Sequence, residues 1–437
     1  MRVTHLKINS FRGISDMTLE FAKDEPTVFI GDNGVGKSSL LDCLAILLSW
    51  FINRIKFDPK SRTSIYSRVM YESIREGEVA NGGFFNARDI KNGNSQTENE
   101  IKLSLGYEEL DWSITTAKIL DKTDTTANIE KLDKITQYLR NEWKSKPNFN
   151  IALAIYYPVN RSVMDISLEI SENYSFKQID AYEQALEGVQ IGFNSFFQWF
   201  RNLEDLENEA RRDRPDYRNN QLEAVRQAIY SVIPGFSNLR VRRSPLRMTV
   251  AKKGEELIIN QLSDGEKCLL AMVGDLARRL AIANPGLEKP LEGSGVVLID
   301  EIELHLHPKW QREIIPALTR TFPNCQFIVT THSPQVVSHV KPEGIYILEA
   351  TPDGIVAKRP ESSFGRDSNS ILEDLMGVSE RPQEIKVRLR ELFRLIDAGN
   401  LNGARELRHR LADEIGYDEP EFVRADVLIR RKEILNR

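Results

Sequence analysis

Residues 27–38 read Thr27-Val-Phe-Ile-Gly31-Asp-Asn-Gly34-Val-Gly36-Lys37-Ser38. Thr27 to Ile30 is a short apolar run rich in β-formers, which predicts a buried strand. From Gly31 to Ser38 every fixed position of the phosphate-loop pattern GxxxxGK[ST] is filled, and a helix is predicted from Ser39 to about Phe51. Glycines let the backbone wrap a phosphate with its N–H groups pointing inward, and the following helix adds its positive end. The ATP contacts expected are therefore Asn33, Gly34, Val35, Gly36, Lys37, Ser38 and Ser39. Lys37 would reach the β- and γ-phosphates, and the Ser38 hydroxyl would ligate Mg²⁺.

Upstream, Val3, Leu6 and Ile8, a break at Phe11-Arg12-Gly13, and then Met17, Leu19 and Phe21 predict strand, turn, strand. Residues from about Phe51 to Asn99 are polar, with turn signals at Asn81-Gly82-Gly83 and Asn92-Gly93-Asn94, and Ile101 resumes strand alternation. Helical patterns dominate from Asp121 to Leu239, including Ile129–Trp143, Gln178–Leu186, Phe193–Arg211 and Gln221–Val232. Two core strands follow at Val296–Ile299 and Phe327–Val329. From Ile371 onward helices are predicted, with Ile385, Leu389, Leu392, Phe393 and Leu395 as an apolar stripe.

Val296-Val-Leu-Ile-Asp300-Glu301 is an apolar strand ending in two acids, placing carboxylates at the edge where α/β proteins build their sites. Asp300 is expected to hold Mg²⁺, directly or through water, and Glu301 to take the proton of an attacking water. Between the two motifs, Leu262-Ser263-Asp264-Gly265-Glu266 precedes an apolar helix from Cys268 to Ile282. Ser263 with Glu266 three residues on is a capping box. Phe327-Ile-Val-Thr-Thr-His332-Ser-Pro334 is a strand ending in histidine.

In this order the motifs resemble the ABC-type AAA ATPases related to SMC, RecF and OLD proteins, with Leu304-His305-Leu306-His307-Pro308 after the acid pair. More narrowly, Leu239-Arg-Val-Arg-Arg-Ser-Pro245, together with Phe197-Gln-Trp-Phe-Arg201 and Glu204-Asp205, resembles the PtuA ATPases of Septu and some retron anti-phage systems. The resemblance implies an ABC-type P-loop NTPase head, a mixed-sheet core with an antiparallel layer. Residues 1–120 and 239–350 would form its halves, 121–238 a helical insertion and 351–437 a small helical module. It implies Arg12 as an ATP contact and His332 as the switch histidine that senses the γ-phosphate. Ser263, Asp264, Gly265 and Glu266 would be the signature that meets the nucleotide of a second copy, hence a homodimer or higher oligomer. The partners implied are an HNH nuclease like PtuB and a retron reverse transcriptase with its multicopy DNA.

Two departures qualify the likeness. The family's Q-loop glutamine lacks an obvious counterpart between Gly83 and Leu105, with Asp89 or Gln96 as candidates. The insertion is also too short for SMC-type coiled-coil arms.

The chain has 437 residues, 41% hydrophobic and 28% charged, with a net charge of −5, which argues against a globally basic nucleic-acid binder. Arg240, Arg242, Arg243, Arg247, Lys252 and Lys253 leave direct nucleic-acid contact open, as in a RecF-like repair clamp, though an exposed charged strand is the blander and favoured reading. No run reaches the roughly 20 apolar residues of a membrane span, and Leu40–Phe51, interrupted by Asp42, reads as a buried helix. A cytoplasmic protein without membrane contact is expected. Cys43, Cys268 and Cys325 lie far apart in apolar surroundings and read as reduced thiols. His305 and His307 lack further ligands for a metal site of their own.

Overall fold

The computed structural model describes residues 1–57, 85–119, 122–161, 177–188, 190–352 and 354–435; the turn read at Asn81-Gly82-Gly83 lies outside them. Strands β1 (Arg2–Phe11) and β2 (Ile14–Glu20) form a hairpin, and β3 (Thr27–Gly31) runs through the glycine loop into α1 (Lys37–Lys56). A meander of β4 (Gln96–Ser104), β5 (Glu109–Ile119) and β6 (Lys122–Asn128) precedes α2 (Glu130–Ser145) and β7 (Leu153–Tyr157). Next come α3 (Phe193–Asp213), α4 (Asn220–Val232), and the three-stranded sheet β8 (Phe236–Arg243), β9 (Leu246–Lys252) and β10 (Glu255–Ile258). The head closes with α5 (Asp264–Ala283), β11 (Gly295–Ile299), α6 (Pro308–Thr321), β12 (Cys325–Thr330), α7 (Pro334–Val337), β13 (Ile345–Thr351) and β14 (Gly354–Lys358).

The core sheet has the order β14-β13-β3-β12-β11-β7, parallel throughout except for β14 at one edge. Every residue of β7, β11 and β12 is buried, as expected of parallel strands covered on both faces. The antiparallel sheet β2-β1-β4-β5-β6 alternates instead, turning Ile101, Leu103, Leu110, Trp112 and Ile114 inward. Helix α1 packs against β4 of that sheet and against β3, β7, β11 and β12 of the core sheet, so it is apolar nearly all round. Among the described residues it is the one helix long and apolar enough to cross a membrane, and most of it is buried in the head. The fold is thus an α/β P-loop head of mixed core sheet plus antiparallel layer.

The segment 121–238, expected as a helical insertion, contributes β6 to the antiparallel sheet and β7 to the core sheet. The cause is the run Leu153-Ala-Ile-Tyr-Tyr157, too short and uniformly apolar for its periodicity to separate strand from buried helix. Gln178–Leu186 is likewise a 3-10 helix over Gln178–Tyr182 followed by hydrogen-bonded turns, not a full α-helix. At the other boundary the head runs to Arg366, because β14 pairs with β13. Asp367–Arg437 forms its own compact unit: α8 (Ser368–Asp374), α9 (Gln383–Asp397), α10 (Leu401–Ile415) and α11 (Pro420–Leu435). Leu389, Leu392 and Ile396 of α9 pack there with Leu411, Phe422 and Ile429. The predicted stripe therefore faces this unit's own core, with Phe393 and Leu395 packed partly buried against it.

Candidate nucleotide site

Strands β3, β12 and β11 are parallel and in register, pairing Phe29 with Thr330 and Val329 with Ile299, so their C-terminal ends align along one edge. The glycine loop, the acid pair and His332 leave that edge side by side. Gly31 has φ 144°, and a Cβ there would lie 2.4 Å from the Leu348 carbonyl oxygen of β13, so both backbone conformation and space demand glycine. Gly36 caps α1. Asn33, Gly34 and Ser38 are exposed, Ser39 is half-buried and Val35 is buried.

Lys37 is 7% exposed and its Nζ donates to the carbonyls of Gly31 (2.9 Å) and Asp32 (2.8 Å). Burial pulls the ammonium's pKa down, against the opposing pull of Asp300, Glu301, Asp32 and Glu303. An ammonium held, among the described residues, by two backbone carbonyls, with the charges of Asp300, Glu301 and Glu303 acting on it, suits an incoming phosphate with its cation. Ser38, exposed at the start of α1, and Asp300, buried at the end of β11, are the residues the sequence offered for that cation. Among the described residues no cluster of three His, Cys, Asp or Glu could hold a metal.

Asp300 is buried, and Thr330 Oγ1 donates to its Oδ1 at 2.5 Å while accepting from the Glu301 N–H at 2.7 Å. Its own N–H donates to the Tyr157 carbonyl (2.9 Å) at the end of β7. Glu301 itself has φ 47°, a left-handed backbone rarely tolerated outside glycine. Beyond it, Glu303 accepts from Thr331 Oγ1 (2.7 Å) and from the His332 N–H (2.5 Å), leaving the His332 side chain exposed. Buried Arg161 donates to the carbonyls of Pro158 (3.1 Å), Glu301 (2.6 Å) and Asp300. Arg161, Glu303 and Tyr157 lie in no recognised motif, and Thr330, inside the strand that ends in His332, was not singled out, so sequence reasoning missed all four roles. The signal that could have found Arg161 is its place just beyond a short apolar run, at a parallel strand's end.

Arg12 has φ 48°, and its turn abuts the loop, since Ile355 Cδ1 lies 3.4 Å from a Cβ at either Gly13 or Gly36. Its guanidinium is bound to Asp89 (2.9 Å) and to Asp42 of α1. Asp89, one candidate for the Q-loop contact, is thus buried and engaged by Arg12 and the Asn86 N–H, while Gln96 is exposed at the start of β4. β11 is flanked by β12 on one side and β7 on the other, so Pro158–Arg161, which follow β7, arrive beside the acids.

Ser263 caps α5: its hydroxyl accepts from the Glu266 N–H (3.4 Å), and Glu266 accepts from the Ser263 N–H (3.1 Å) and Oγ (3.0 Å). Lys252 adds an ion pair to Glu266 at 2.6 Å. Burial would raise the Glu266 carboxyl, but Lys252 and Ser263 outweigh it and hold it below its ordinary range. Ser263, Asp264, Gly265 and Glu266 line an open cleft of about 940 Å³ with His305, His307 and Trp310, and none of residues 31–39 belongs to it. The basic strand is largely neutralised: Arg240 and Arg242 pair with Glu256, and Arg243 with Glu204 and Asp205.

A family model described as "AAA domain, putative AbiEii toxin, Type IV TA system" matches residues 27–338. The chain is 30% identical to the Escherichia coli protein named "Retron Ec83 probable ATPase", over 99% of this chain and 87% of that one. It is 24% identical to the "Septu protein PtuA" of Bacillus thuringiensis, over 86% and 85% of the two chains. A structure of an Smc head bound to the C-winged helix domain of ScpA superposes with a TM-score of 0.46 at 15% identity, covering 82% of this chain and 98% of that one.

Proposed function

Since the chain belongs to this family of AAA-domain ATPases, together with the retron and Septu ATPases it resembles, we propose that it works as a head-to-tail dimer controlling a separate effector in anti-phage defence. Each loop from Asn33 to Ser39 binds ATP in one copy, with Mg²⁺ held by Ser38 and Asp300. Glu301 takes a proton from the water that attacks the γ-phosphorus as the bond to the β–γ bridging oxygen breaks. His332 contacts the γ-phosphate, and Ser263 to Glu266 of the second copy complete the site. The effector is an HNH nuclease, joined in the retron setting by a reverse transcriptase with its multicopy DNA, and the complex acts in the cytoplasm.

The observation that carries the dimer is the separation within one chain: the cleft at Ser263–Glu266 excludes residues 31–39, although both ends are built to meet phosphate. Mixing Ser263→Arg with Glu301→Gln tests it. Each homodimer should be nearly inactive, whereas the heterodimer has one site with an intact Glu301 facing an intact Ser263, so turnover should reappear on mixing. Heterodimers, captured through two different tags, that stay inactive would defeat the composite site. Pairing of the basic strand with Glu256, Glu204 and Asp205 disfavours the RecF-like reading, in which that strand would grip DNA phosphates.

A further inference from the structure

We propose that Arg161 is a positioning residue for ATP hydrolysis, whose guanidinium grips the backbone carbonyls of Asp300 and Glu301 and so fixes the direction of the Glu301 carboxylate. The inference rests on the reading of Glu301 as the proton acceptor and goes beyond it by naming what aims that group. Glu301 sits at φ 47°, and a non-glycine residue holds such a backbone only when its surroundings over-determine it. Three constraints do so here. The Glu301 N–H is taken by Thr330 Oγ1, the Asp300 N–H by the Tyr157 carbonyl, and both carbonyls by Arg161.

Arg161 is 3% exposed, and among the described residues its hydrogen bonds go only to carbonyls, those of Asp300, Glu301 and Pro158. Burying a guanidinium costs desolvation, so packing alone is a poor reason for its presence. Burial pulls its pKa down, while the charges of Asp300, Glu303 and Glu301 are close enough to oppose that. Two nitrogens held apart in one rigid plane reach the two consecutive carbonyls, Nη1 that of Asp300 and Nη2 that of Glu301, a fixed fork that the single nitrogen of a lysine does not reproduce.

The test uses the full chain with Arg161→Ala and Arg161→Lys, measuring kcat, KM, ATP affinity and thermal midpoint. Arg161→Ala should keep ATP affinity within about threefold and lose about 10- to 100-fold in kcat, part of what a positioned base contributes. Millimolar guanidinium should restore part of that rate to Arg161→Ala and none to Glu301→Gln. Arg161→Lys should stay well below wild type at unchanged KM. Should Arg161→Ala fail to fold, the lysine variant decides alone, and a wild-type kcat in it overturns the proposal. So does a fall in kcat that only tracks lost folded protein. Glu301→Gln retaining turnover would instead sink the reading of Glu301 itself, while an inactive Glu301→Gln beside fully active Arg161 variants sinks only this inference.

Discussion

The carbonyl oxygen of His305 sits where a side chain at Gly265 would begin: a Cβ at that glycine would lie 2.3 Å from it. His305 has φ 62°, so the loop after the acid pair bends into the first turn of α5. Gly265→Ala should push the His305–Pro308 loop away, an overpacking that typically costs about 1–3 kcal/mol. ATP should still bind at the glycine loop, but ATP-dependent dimerisation and turnover should fall together. Light scattering with and without ATP, beside a nucleotide titration, checks this, and a normal ATP-bound dimer would contradict it.

Lys37→Ala should weaken ATP binding by at least about 100-fold, because it removes the ammonium the loop aims at the β- and γ-phosphates, an interaction charge-assisted and partly desolvated. Unchanged affinity in a titration of the purified variant would remove the basis for reading this loop as the nucleotide site.

Glu301→Gln should bind ATP with near wild-type affinity and lose about 10²- to 10⁴-fold in turnover. ATP-bound dimers should then accumulate on gel filtration. Retained hydrolysis would move the base elsewhere.

Asp275 accepts from Arg278 (2.9 Å), Arg279 (2.7 Å) and the Tyr157 hydroxyl (3.0 Å). Burial would raise its pKa, but the two arginines prevail and hold it down at about 2. A carboxyl depressed below its unfolded value stabilises the fold above pH ~4 and loses that contribution as pH falls toward ~2, on the order of 2 kcal/mol in all. Asp275→Asn should be destabilised at neutral pH by about 3–5 kcal/mol, since two buried cations lose their anion. The gap to wild type should narrow as pH falls from 5 to 3. Parallel unfolding midpoints across that range would refute the assignment.

The glycine loop, the acid pair and His332 were legible because each is a local pattern whose spacing carries its chemistry, and each terminates a strand of strongly apolar residues. Arg161 was not legible. Its partners, the carbonyls of Asp300 and Glu301, are far away in sequence, and carbonyls leave no trace in residue identity. The same blindness hid β7, whose five apolar residues say buried without saying strand. Ser263 and Glu266 illustrate a third case: the capping box and the signature are one set of atoms, so sequence could not choose between them, and the structure shows the cap made. In the tail, apolar spacing gave the inward face of α9 correctly as a stripe, but only the packing of Leu389 and Leu392 against Phe422 and Ile429 says what covers it.

Strand β3 ends at Gly31, yet the strands flanking it are β12, which begins at Cys325, and β13, which begins at Ile345. A ribosome therefore delivers the glycine loop early and its lateral support last. At about 5–20 residues per second, the nascent loop waits roughly 15 to 60 s before either neighbour exists. During that interval β3 has two unpaired edges, and α1 has β4 and β7 to pack against but not yet β12. Nucleotide binding in this way waits for the late strands: a product released before β12 carries the whole phosphate-loop motif and neither of the strands that flank it.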